Sequence, residues 1–295
     1  MIWSVVNDVL KTIPLRLLNT HTGVLCNRVA QLSHFRDSPQ YSQLLSQAST
    51  RDGQQLEAWI REMVTAFFQY ASLSHKWGDD EPLLCDVEGV SVYDLVGKAG
   101  LAKLQKFCLH ALKRDCAWAW SDTCCIDKES SAELLEAIGC MFAWYRQSAI
   151  TIVHLSDVSN SASLVDSIWF KRGWTLQELL APHRVLFFTQ DWSPYMNCES
   201  SDHKTNGVVL KELEKATGIG EWHLQNFQPG TVDARSRLQW ASTRSTTRAE
   251  DIAYSLFGIF DLHLPVLYGE SADKALGRLL LEIISQSGDV SILDW

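Results

Sequence analysis

Apolar residues recur with two alternating periods between residues 56 and 188. Leu56, Trp59, Ile60, Met63 and Phe67 return every three or four positions, which predicts a helix over residues 56–68. The Ser-, Gln- and Asp-rich stretch before it, residues 33–52, lacks that period and reads as a loop or insertion. Residues 70–74 read as a short strand, followed by a turn at Trp77-Gly78-Asp79-Asp80. Helical spacing returns over residues 98–113, then a buried strand over 117–121 stops at Asp122. A helix over 131–147, a β-rich run over 149–155, a short helix over 174–181 ended by Pro182, and a strand over 184–188 complete the series. This alternation predicts an α/β fold: a doubly wound, mostly parallel sheet flanked by helices. In such sheets sites gather at the carboxyl ends of strands, here Ser74-His75, Asp122 and Asp157. Residues 208–217, 235–242, 250–260 and 272–285 have helical spacing. The expected organisation is one domain: a helical and loop region over 1–69, an α/β core over 70–190, and a helical half over 191–295.

Composition narrows the chemistry. The chain has 295 residues, 46% hydrophobic and 21% charged, which suits a globular protein with a sizeable core. Its formal net charge of -9 argues against nucleic acid and anionic membranes as partners. No apolar run reaches the roughly 20 residues that span a bilayer. Met1 to Leu10 carries no secretory leader, and eight cysteines without a CxxC pair suit a reducing, cytoplasmic setting without structural zinc. Nine histidines show no HxxxH or HxH spacing, so no metal is expected. No GxGxxG or Walker loop supports a redox or triphosphatase reading, and no cofactor is expected. The stop at Asp294-Trp295, directly after an apolar run, suggests a domain cut from a longer protein.

Several ordered segments resemble the heterokaryon incompatibility (HET) family. They are Tyr70-Ala71-Ser72-Leu73-Ser74-His75-Lys76-Trp77-Gly78, then Trp120-Ser121-Asp122-Thr123-Cys124-Cys125-Ile126-Asp127-Lys128 followed by Ser131-Ala132-Glu133-Leu134, then Phe170-Lys171-Arg172-Gly173-Trp174-Thr175-Leu176-Gln177-Glu178-Leu179. Thr247-Arg248-Ala249-Glu250-Asp251 with the apolar run to Phe260, and Leu267-Tyr268-Gly269-Glu270, follow in the family's order. Ser121 stands where an aliphatic residue is usual, and residues 22–69 form a longer stretch than expected before the first motif. The resemblance implies a role in fungal incompatibility, a death response after fusion of unlike cells. Partner incompatibility proteins and self-association on activation belong to that expectation. The family is also similar to Toll/interleukin-1 receptor-like (TIR) domains, several of which hydrolyse NAD. In plant members of that group a helix opens with Trp and reaches a catalytic Glu-Leu, a layout that Trp174 to Leu179 resembles.

Carried over to this sequence, the likeness implies Glu178 as the catalytic carboxylate, with NAD or a related dinucleotide as substrate. A carboxylate beside the ribose stabilises the cationic transition state, as in glycoside hydrolysis. Helical spacing sets Glu178 on a face with Trp174 and Ala181, an apolar setting. The plainer reading makes it a surface partner of Arg172 or Arg184. Asp122 either binds ribose hydroxyls or orients Arg172, or else caps its own turn. Ser74, Trp77, Arg172 and Trp174 are expected to line the site; Trp77 alternatively packs in the core. Ser74 and His75 point to opposite faces of a strand and do not make a nucleophile–base pair. Cys124 and Cys125 read as buried structural thiols. Arg244, Arg248, Glu250 and Asp251 read as an internal ion-pair network. A reading from another class makes the domain a non-enzymatic, self-assembling module that recruits a death effector. A weaker one puts allelic recognition in the loops near Ser193 to Asn206.

Overall fold

The computed structural model describes residues 1–48, 51–160 and 162–294. Ser49 and Thr50 of the polar stretch, and the terminal Trp295, lie outside the described residues. The chain is α/β, and its contacts divide it into two compact units. The first comprises residues 1–73, 77–129 and 147–149; the second comprises 74–76, 130–146 and 150 onward.

The first unit opens with α1 (Ile2–Thr12), whose Val5, Val6, Val9 and Leu10 form one buried face. Strands β1 (Leu17–Asn19) and β2 (Leu25–Cys26) pair antiparallel, with Leu17 opposite Cys26. Their turn is specified locally. Asn19 Oδ1 accepts the N–H groups of His21 and Thr22, and Gly23 takes a left-handed φ of 71°. A Cβ on Gly23 would lie 2.6 Å from Ser91 Oγ, so only glycine fits there. The polar stretch is helical, contrary to expectation: α2 (Arg28–Arg36) is capped by Asn27, and α3 (Pro39–Gln47) by Ser38 with Pro39 in the first turn. Phe35 packs against Phe67 and Phe68 at ring separations of 5.1 and 5.5 Å, which supplies the apolar anchor that the composition obscures. Helix α4 (Gly53–Phe67) leads into β3 (Tyr70–His75), followed by α5 (Leu84–Val87), α6 (Ala99–Leu112) and β4 (Trp118–Trp120). Strands β3 and β4 are parallel, with Ala71 opposite Ala119; β1 adds antiparallel on β4. The region expected to hold only helices and loops therefore contributes an antiparallel edge.

Strand β3 gives Ser74 and His75 to the second unit. There α7 (Ser131–Gln147) precedes β5 (Ile150–His154), and α8 (Thr175–Leu180) precedes β6 (Val185–Phe188). The last two strands pair in parallel, from Thr151 opposite Val185 to His154 opposite Phe188. Every residue of β5 and β6 is buried, which explains their largely apolar runs, and every residue of α8 is buried too, its Thr175, Gln177 and Glu178 included. The remaining helices are α9 (Gly207–Thr217), α10 (Glu221–Asn226), α11 (Ala234–Ser242), α12 (Asp251–Tyr254), α13 (Phe257–Phe260) and α14 (Ala272–Ser287). The single helix expected over 250–260 is thus two pieces. In the second, Gly258 meets α7 so closely that a Cβ would stand 2.1 Å from Phe142 Cβ. Among the described residues no helix is long and apolar enough to cross a membrane.

Gly258→Ala is expected to lower the unfolding free energy by about 1–3 kcal/mol through overpacking. Gly139→Ala, in α7 with nothing within 4 Å of the new Cβ, is expected to raise it by about 0.5–1 kcal/mol. Urea titration of both variants measures the pair; equal midpoints would show that the Phe142 contact relaxes freely.

Candidate functional site

The expected site residues fall into two groups. Ser74, Arg172, Trp174 and Glu178 lie in the second unit, Trp77 and Asp122 in the first.

Glu178 sits in the first turn of α8 and is only 5% exposed, so it is not the surface ion-pair partner of Arg172 or Arg184. Ser74 Oγ donates a hydrogen bond to Glu178 Oε2. Trp169 Nε1 donates to Ser74 Oγ at 2.9 Å, fixing that hydroxyl as acceptor on one side and donor on the other. Strand β3 supplies Ser74 because its polar side chain turns inward at the strand's carboxyl end. His75 is buried as well, so β3 has no solvent face at its end.

A buried cation whose charge interacts with this carboxylate comes from a position that the sequence placed in a separate ion-pair network. Arg244 is buried; its Nη1 donates to Thr175 Oγ1 at 2.9 Å and Arg172 O at 3.0 Å, and its Nε to Trp240 O at 3.2 Å. Burial pulls the guanidinium down to about 10, and the nearby Glu178 charge opposes that fall. Arg172 itself enters through its backbone carbonyl, which also accepts from Thr175 Oγ1 at 2.9 Å. Trp174 precedes α8 and donates from Nε1 to Asp251 Oδ2 at 3.0 Å, while Tyr268 OH donates to Asp251 Oδ1 at 3.2 Å. Burial raises the Asp251 carboxyl, against the two hydrogen bonds that lower it. The downstream motif residues therefore hold the amino end of α8. Arg248, exposed, stacks its guanidinium 4.2 Å from the Tyr268 ring centre.

The carboxyl end of α8 is held by Lys204, which sequence reasoning missed. Its Nζ is buried and donates to Pro182 O at 2.7 Å. Burial brings this ammonium down to about 7, with Asp202 opposing and Arg146 adding to the fall. Asp157 is consumed structurally: its oxygens accept from Ser167 Oγ at 2.8 Å and Ile168 N–H at 2.7 Å.

In the first unit, Trp77 Nε1 donates to Asp122 Oδ2 at 2.9 Å, and Lys128 Nζ stands 3.5 Å from the Trp77 ring centre. Trp77 is exposed, so it is not a core residue. Asp122 neither stands alone nor caps only its own turn; it is the acceptor for that indole. Cys124 and Cys125 are buried free thiols, and bonding to Cys125 together with burial pushes Cys124 well up, which suits structural thiols.

Residues 70–165 match the family described as Heterokaryon incompatibility protein (HET). Vegetative incompatibility protein HET-E-1 of Podospora anserina is 42% identical over 236 residues, which cover 74% of this chain and 16% of that protein. The chain thus spans well under two thirds of the length of that relative. No solved structure matches.

Arg244→Met is expected to destabilise the protein by about 3–5 kcal/mol, because it strips a buried charge of its partner. Combined with Glu178→Gln, the loss should fall short of the sum by about 0.5–3 kcal/mol. Additive losses in denaturant titrations would show that the two charges are uncoupled. Lys204 gives a pH signature of definite sign. Between its folded value of about 7 and its ordinary value of 10.5, the unfolded chain binds the extra proton. Stability from this group therefore rises with pH above about 7. Comparing unfolding free energies from pH 7 to 8.5, Lys204→Met should lose that rise; an unchanged slope would contradict the assignment.

Proposed function

We propose that this chain, a heterokaryon incompatibility domain protein, is the death-inducing domain of a fungal incompatibility protein and acts by hydrolysing NAD at Glu178. The observation that carries the reading is the buried Glu178 carboxylate fixed by Ser74, whose hydroxyl is in turn oriented by Trp169. A carboxylate already desolvated and aimed does not need to reorganise when positive charge develops, which is how preorganised sites lower barriers. In the proposed reaction the bond between nicotinamide and ribose C1′ breaks and nicotinamide departs with the bonding electrons. Water adds to C1′, and its proton is lost; the products are nicotinamide, ADP-ribose and a proton. Glu178 stabilises the cationic ribose and positions the water. Arg244 holds the turn that carries Glu178. We read the fold as TIR-like, a reading supported by the parallel ladders and flanking helices. NAD or a related dinucleotide as ligand, a cytoplasmic site of action, partner incompatibility proteins and activation by self-association complete the proposal. Arg172 and Trp174, in the same unit as Glu178, are its further binding residues.

A second reading has its own observation. Glu178 is as enclosed as a core residue and has the Arg244 charge close by, which suits a carboxylate that serves packing in a non-enzymatic, self-assembling module.

Purified protein is expected to release nicotinamide from NAD when artificially clustered and far more slowly when dilute, and Glu178→Gln to reduce the clustered rate by at least about a hundredfold with folding retained. Absence of turnover in both states, while expression of the domain still kills cells, would favour the self-assembling module.

A further inference from the structure

The first unit contains a cleft of about 320 Å³ between the segment around α5 and the segment that follows β4. Its size is at the lower end for ligand sites, enough for one or two side chains. Leu83, Leu84 and Ile126 give it an apolar lining, and Leu83 is 42% exposed. Glu88, Asp127 and Glu129 supply three carboxylates. Glu88 and Glu129 are exposed and enter no ion pair among the described residues.

The neighbouring charges make this rim selective. Asp86 is paired with Lys98 at 2.6 Å, Glu81 with Lys103, and Asp122 accepts the Trp77 indole. Of the carboxylates facing the cleft, Asp127 accepts the Glu129 N–H at 3.0 Å, and Glu88 and Glu129 are the two exposed ones. Lys128 lines the cleft too, yet its Nζ is buried without a hydrogen-bond partner, against the Trp77 ring. Its cation is thereby withdrawn, and only its aliphatic stem serves the cleft. The described lining residues are thus acidic or uncharged apart from Lys128, whose Nζ is buried.

We propose that this cleft is a docking site for a partner protein segment in which an apolar side chain is flanked by arginine or lysine. The apolar side chain enters over Leu83 and Ile126, and the flanking cations meet Glu88 and Glu129. This surface is independent of the hydrolytic reading, since none of its residues belongs to the Glu178 cluster.

The test uses a fluorescein-labelled Arg-Leu-Arg-Leu-Arg peptide, read by anisotropy with the whole chain. Saturable binding is expected that weakens at high salt. It should weaken about tenfold or more when Glu88→Lys and Glu129→Lys are combined, and also in Leu83→Ser. Both residues are exposed, and near-ultraviolet circular dichroism checks that the variants fold. Cys85 is an exposed free thiol lining the same cleft, so saturating peptide should slow its alkylation as followed by mass spectrometry. Unchanged affinity in the charge-reversed variant, or unchanged Cys85 alkylation, would overturn the proposal. Equal binding of an Arg-Ser-Arg-Ser-Arg peptide would overturn it as well, because the apolar lining would then play no part. If the wild type self-associates in sedimentation and the charge-reversed variant does not, the occupant is a second copy and the assignment to a partner protein fails.

Discussion

A carboxylate and a guanidinium cannot both be taken out of water unless each finds its charge and hydrogen-bond partners inside. The organisation around α8 follows from that requirement. Glu178 takes the Ser74 hydroxyl, Ser74 takes the Trp169 indole, and Arg244 spends its donors on Thr175, Arg172 and Trp240. The helix itself is six residues long, too short to persist in water by its own hydrogen bonds. Its conformation is imposed by what surrounds it: Trp174 bound to Asp251 before its first residue, Lys204 bound to Pro182 after its last.

This arrangement gives the separate sequence motifs a common purpose. The first places Ser74 at the end of β3, the third carries the helix, and the later ones bring Asp251 and Tyr268 to its amino end. The second motif serves another centre in the first unit, where Asp122 and Lys128 flank the exposed Trp77 from its edge and its face. Hydrolysis and partner recognition, as proposed above, draw on different parts of the chain.

Much of the fold was legible from periodicity. Helix α7 runs over the residues its apolar spacing implied, and β5 and β6 were readable because both faces are buried and the runs are continuous. Helices α2 and α3 were not, since few apolar side chains mark them. Their signals were the caps Asn27 and Ser38 with Pro39, which outweigh a polar composition. The pairing of Ser74 with Glu178, 104 residues apart, rests on packing that no local pattern encodes, although a likeness pointed to both residues. Arg244 was visible as a charged residue near a helix, but two of its three acceptors are backbone oxygens, and any sequence offers those everywhere. Lys204 gave no signal at all: a lysine among polar neighbours reads as surface until the chain buries it.

The three acceptors of Arg244 have a consequence for inheritance. Lysine has one short, rotatable ammonium and cannot span a hydroxyl and two carbonyls at once, so even the mildest exchange leaves polar groups stranded. A viable change there requires simultaneous changes at Thr175 or Glu178, and a population rarely acquires such combinations in one step. This corner of the domain is therefore expected to be passed on as a block.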